Sequence, residues 1–96
     1  MSRRARFRFR LYVADDTLNS AKALVNLTAL CQEHLPGRHE IEVVDVFRTP
    51  ERARDDCILM TPTLVKLAPP PVRRIVGTLS QTQTVLLALG IESLAA

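Results

Sequence analysis

The side chains able to do chemistry are few, and their spacing suits none of the usual reactions. Cys31 and Cys57 lie 26 positions apart, with no CxxC pair. Thiol–disulfide exchange needs a thiolate at a helix N-terminus, where the dipole lowers its pKa, and a resolving cysteine three residues on. The stretch that would supply it, Asp15-Asp16-Thr17-Leu18-Asn19-Ser20, holds no sulfur. Cys31 falls on an apolar helical stripe and reads as a packing thiol. Cys57 stands near the end of a short helix with no Lys, Arg or His pattern to activate it. His34 and His39 have no metal-ligand spacing with either cysteine and read as surface residues. Asp15 and Asp16 read as turn and capping residues. No catalytic, cofactor-binding or metal-ligating residue is expected, and the chain is not expected to be an enzyme.

The elements that would position any site follow from periodicity. Phe7, Phe9, Leu11 and Val13 alternate with Arg8, Arg10 and Tyr12, which predicts a strand over 7–13 with its arginines on the other face or the edge. Leu24, Leu27, Cys31 and Leu35 form a helical stripe that Pro36-Gly37 stops, predicting a helix over 18–34. Ile41 to Phe47 is a nearly continuous apolar run, the pattern of a strand buried on both faces. Thr49-Pro50-Glu51 reads as the capped start of a short helix ending near Ile58. Leu64–Leu67 and Val72–Val76 read as strands joined by a turn at Pro69-Pro70-Pro71, where proline supports neither ladder nor helix. Gly77 closes the second of them. Ser80 and Gln83 make an S-x-x-Q capping box opening a last helix over about 81–92.

Ninety-six residues, 47% hydrophobic and 24% charged, suit one globular domain. The net charge of +3 comes from a basic start: Arg3, Arg4, Arg6, Arg8 and Arg10 are five of 13 basic residues. The rest of the chain carries more acid than base, so the basic face of a nucleic-acid binder is not expected. No run nears the ~20 apolar residues of a membrane span. Residues 7–13 are needed as a strand, which leaves too little for a leader, so the expected location is cytoplasmic, with both cysteines as free thiols. The expected organisation is a basic tail over 1–6, a domain over 7–92 and a tail over 93–96.

The β-α-β-α-β-β-α order is the thioredoxin arrangement: a right-handed β-α-β unit, then a hairpin and helix, giving an α/β single domain with a four-stranded mixed sheet. Thr61-Pro62-Thr63 before a strand, with Val76-Gly77-Thr78-Leu79-Ser80 leading into a helix, is similar to the second half of a thioredoxin, where the matching proline is cis; a cis Thr61–Pro62 bond is expected. A closer likeness lies in Leu11-Tyr12-Val13-Ala14, Asn19-Ser20, Val44-Asp45-Val46, Ile58-Leu59-Met60-Thr61-Pro62-Thr63-Leu64 and Pro69-Pro70-Pro71-Val72-Arg73-Arg74-Ile75-Val76-Gly77. Over residues 7–92 these stretches resemble the KaiB family.

That resemblance implies a non-catalytic circadian-clock protein that binds a KaiC-type P-loop ATPase, with KaiA-like or histidine-kinase proteins as further partners. It implies two folds, the thioredoxin-like one and a ground state, often tetrameric, with a rearranged second half. With nothing after Ala96, the stand-alone form is expected rather than a kinase-linked one. The resemblance points to Lys66, Arg73, Arg74, Asp45 and Asp55 as partner-binding residues. Pro62, Pro69, Pro70, Pro71, Gly77 and Ser80 are expected to be structural. Glu42 and Cys57 stand where the family usually has lysine, which bears against recognition of KaiA-type partners. Ala88 and Gly90 stand where the family has glycine and aspartate, a net bias toward helix of about 0.5–0.7 kcal/mol. Two alternatives remain: a glutaredoxin-like redox or peptide-binding protein reusing the Thr61-Pro62 turn, and a stress-signalling adaptor outside any clock.

Overall fold

The computed structural model describes residues 6–15 and 17–91; Asp16, the expected C-terminal tail over 93–96 and all of the N-terminal tail but Arg6 lie outside the described residues. The elements run β1 (Phe7–Val13), α1 (Leu18–His34), β2 (His39–Asp45), α2 (Pro50–Asp55), β3 (Thr63–Ala68), β4 (Arg73–Val76) and α3 (Thr82–Leu89). The strands form one sheet in the order β2-β1-β3-β4. β2 runs parallel to β1, and β3 pairs antiparallel with both β1 and β4. The expected element order and mixed sheet are both present.

The pleat of β1 divides the interior. Phe7, Phe9, Leu11 and Val13 face α1 and α3, forming the main core with Leu27, Leu30, Cys31, Leu64, Leu86 and Leu89. Tyr12 faces the other way, into a smaller cluster with Val44, Val65 and Ala53 of α2. α1 starts at Thr17, whose hydroxyl oxygen accepts from the Ser20 amide at 3.4 Å. The helix ends before Pro36-Gly37, and the Leu35 amide closes its last turn on the Cys31 carbonyl.

Five expectations need correction. β2 is an edge strand, with Glu40, Glu42 and Val43 exposed and only Val44 fully buried, so its apolar run does not mark burial on two faces. α2 ends at Asp55, short of Ile58, because Cys57 turns into the left-handed region at φ 55. Its Thr49 hydroxyl makes no cap bond to the helix and instead donates back to the Asp45 carbonyl. α3 is capped by Gln81, not Ser80, and no side-chain cap bond forms; the Ser80 hydroxyl is instead within 3.4 Å of that of Thr78. Gly90 is not a helix-interior residue but the left-handed C-cap, φ 71, where glycine is favoured over any residue with a Cβ.

The proline positions behave as expected of turn formers. Thr61–Pro62 is cis, as are Ala68–Pro69 and Pro70–Pro71. Gly77, at φ 123, takes a conformation that L side chains avoid while its amide bonds the Pro62 carbonyl.

Candidate functional site

Strand register decides where the expected partner-binding residues point. Phe9 pairs with Lys66, and Lys66 with Arg73. Arg10 pairs with Val65, and Val65 with Arg74. Because registered residues share a face, Arg73 belongs with α1 and α3, and Arg74 with α2. The two arginines are adjacent in sequence and on opposite sides of the sheet.

Lys66 is not the solvent-facing cation that the sequence suggested. It is 3% exposed, and its ammonium donates to the Leu89 carbonyl at the end of α3. Asp45 is half-buried at the end of β2, where a carboxylate oxygen accepts from the Phe47 amide at 2.8 Å and the other lies 3.8 Å from Arg48. Asp55 is exposed at the end of α2. Of the five, Asp55 and Arg74 therefore share one exposed face.

Around Arg74 that face is apolar. Cys57, Ile58, Leu59, Met60, Thr63, Arg74 and Val76 line an open cavity of about 220 Å³. Leu59 is 93% exposed, Met60 63% and Val76 55%. Arg74 reaches across to donate to the Cys57 carbonyl at 3.3 Å, which orients the guanidinium along the cavity wall. Large apolar side chains grouped beside an oriented arginine make a surface suited to protein docking.

Beside the cavity lies a charged network that periodicity alone did not reveal. Glu42 on β2 accepts from both terminal nitrogens of the Arg52 guanidinium, Nη1 and Nη2, at 2.8 and 3.0 Å, and from Arg10 at 2.9 Å. These bonds hold the Glu42 carboxyl at about 2, well below the usual range, with Arg52 the larger cause. Arg10 also bonds Asp56 at 3.0 Å. Asp56 accepts the Tyr12 hydroxyl hydrogen as well, and its carboxyl is depressed by Tyr12 first and Arg10 second. Burial is the main reason that the Tyr12 phenol is pushed up. A signal existed in the sequence: Arg8 and Arg10 alternate on β1 as Glu40 and Glu42 do on β2, and the two sets pair in register.

The groups able to do chemistry are placed otherwise. Cys31 is fully buried, and burial pushes its thiol up to about 12. Cys57 is exposed. His34 is buried, not a surface residue: it sits in the last turn of α1, with Glu33 3.4 Å away and its Nδ1 without a partner among the described residues. His39 is half-buried against the Leu35 carbonyl. Among the described residues, no group of three or more His, Cys, Asp or Glu side chains could hold a metal ion.

Residues 10–91 match the KaiB domain family. The chain is 43% identical over 82 residues to the circadian clock protein KaiB3 of a Synechocystis species, covering 85% of this chain and 80% of that protein. It is 45% identical over 91 residues to the circadian clock oscillator protein KaiB of Prochlorococcus marinus, covering 95% and 78%. Among solved structures, chloroplastic thioredoxin z superposes with a TM-score of 0.73 at 20% identity, covering 88% of this chain and 77% of that one. The N-terminal domain of SasA from Synechococcus elongatus superposes at 0.70 with 18% identity, covering 91% and 83%. The fold is thioredoxin-like.

Proposed function

This chain belongs to the KaiB family, and from that we propose that it is a non-catalytic clock protein that binds a KaiC-type P-loop ATPase with the α2 side of its sheet. Named relatives in the family are circadian clock proteins. The observation that carries the reading is the apolar cavity walled by Leu59, Met60 and Val76 and bordered by Arg74. Asp55 and Arg74 are its charged contacts, with Arg73 reaching a partner only around the β4 edge. Thiol catalysis is disfavoured by what stands where a thiolate would act: Thr17 and Ser20, hydroxyls bonded to one another at 2.8 Å. A cytosolic setting goes with this reading, and no helix of the described residues is long and apolar enough to cross a membrane.

The test is a pull-down against a KaiC-type ATPase with and without ATP. Wild-type protein should be retained, and Leu59→Ser with Arg74→Glu should lose retention while keeping its circular dichroism. Equal retention of the folded double variant would overturn the surface assignment. No retention of the wild type in either nucleotide state would overturn the partner.

A further inference from the structure

Lys66 is the cation whose surroundings the docking surface does not explain. It projects from β3 into the layer between the sheet and the helices, 3% exposed. An ammonium has three N–H donors. Among the described residues its one hydrogen-bond acceptor is the Leu89 carbonyl at 3.0 Å, and no carboxylate pairs with it. Partial compensation comes from the negative end of α3 and from the Phe7 ring, whose centroid lies 5.8 Å away. Its registered partner on β4 is a second cation, Arg73.

We infer that Lys66 loosens the seat of α3, and that the firmness of that seat is set by the charge standing over Arg73. Burying a cation without a counter-charge is unfavourable, and replacing it with an apolar side chain of similar volume often stabilises the fold. The Lys66 ammonium is pushed below the usual lysine range, by burial first and Arg73 second, which is the sign of a charge that the folded state resists. Removing the positive charge of Arg73 relieves the repulsion and seats α3 more firmly. On the partner reading above, an anionic group docking over Arg73 acts in the same direction. By reciprocity, firm seating of α3 then favours that anion.

α3 is attached through Val85, Leu86 and Leu89, and its other five residues are exposed. It has no side-chain N-cap bond and no charged residue in its first or last turn. Its end is closed by the Gly90 and Ile91 amides on the Leu87 and Leu86 carbonyls. Those two amides report the seating directly.

The test uses the isolated protein, so it does not depend on any partner. Native-state hydrogen exchange is followed at the Gly90 and Ile91 amides, with the Val46 amide, which bonds the Val13 carbonyl, as reference. Lys66→Met should slow exchange at Gly90 and Ile91 about tenfold relative to Val46. Unchanged or faster exchange in that variant would show that Lys66 fastens α3 and would overturn the inference. Arg73→Gln, which leaves the core side chains in place, should slow the same two amides by about threefold and move the Nζ titration of Lys66 upward. Failure of both readouts in Arg73→Gln would overturn the coupling whatever the fate of Lys66→Met.

Discussion

Tyr12 and Asp56, 44 residues apart in the chain, meet in a hydrogen bond that fastens the end of α2 to the central strand. The six residues of α2 are too few to be stable alone. What holds them is Ala53 packed on Tyr12, Val44 and Val65, together with charged groups reaching across from β1 and β2. Tyr12 takes part in both, with a buried ring and a hydroxyl placed between Asp56 and the Arg52 carbonyl. The loop from Cys57 to Met60 follows directly, so the proposed docking surface stands on this attachment.

Tyr12→Phe should therefore destabilise the domain by about 1–2 kcal/mol, since it leaves the ring in place and removes one partner of a charged acceptor. Urea unfolding monitored by circular dichroism measures it. The same variant should bind partners more weakly than its stability alone explains, because the Cys57–Met60 loop loses its anchor.

Acid should unfold the protein through the same network. Glu42 titrates at about 2 in the folded chain against an ordinary value near 4.5, and Asp56 is shifted in the same direction. A carboxyl depressed on folding contributes stability that is complete above its unfolded pKa and lost as pH falls through its folded one. The urea midpoint should fall between about pH 5 and pH 2, and Glu42→Gln should flatten that slope. A slope unchanged in the variant would place the acid sensitivity elsewhere.

Much of this was legible in the residues. The alternation from Phe7 to Val13 gave β1 and its buried face, and the stripe through Leu27 and Cys31 gave α1, because burial on one face writes its period into the sequence. Lys66 was not legible. Residue type argues for solvent, and only the register with Phe9 and the arrival of α3 from 23 residues on turn it inward. His34 was misread similarly, being polar by type and interior by position. The Arg10–Glu42–Arg52 cluster needed the parallel register of β1 and β2, which local pattern does not specify. Ser80 failed by one residue: the cap pattern was present, but the helix begins a position later.

The two thiols should separate cleanly under alkylation. Cys57 is exposed, while Cys31 is buried with its thiol pushed up to about 12. Iodoacetamide at neutral pH should add one label to the native protein and a second only in denaturant, read by intact mass. Two labels at equal rates on native protein would mean that α1 opens readily from the sheet.

Ala88→Gly should weaken α3 selectively. Ala88 is exposed in the last turn, so the change removes little packing and costs about 0.5–1 kcal/mol of helix propensity. Backbone chemical shifts on dilute protein should be helical over 82–89 in the wild type and drift toward coil in the variant. Strand-like shifts in the wild type would contradict the helix.

The central place of β1 also governs when the chain can fold. It is the first strand made, yet one of its edges waits for β3, which ends at Ala68. α1 covers part of its apolar face, and the rest stays open until α3 arrives with Leu86 and Leu89. A nascent chain thus carries Phe7, Phe9, Leu11 and Val13 without their final neighbours until Leu89 has been made. The β1-α1-β2 unit can pair before β3 exists, but the main core closes only once α3 has been made, so the last step of folding joins the two ends of the domain.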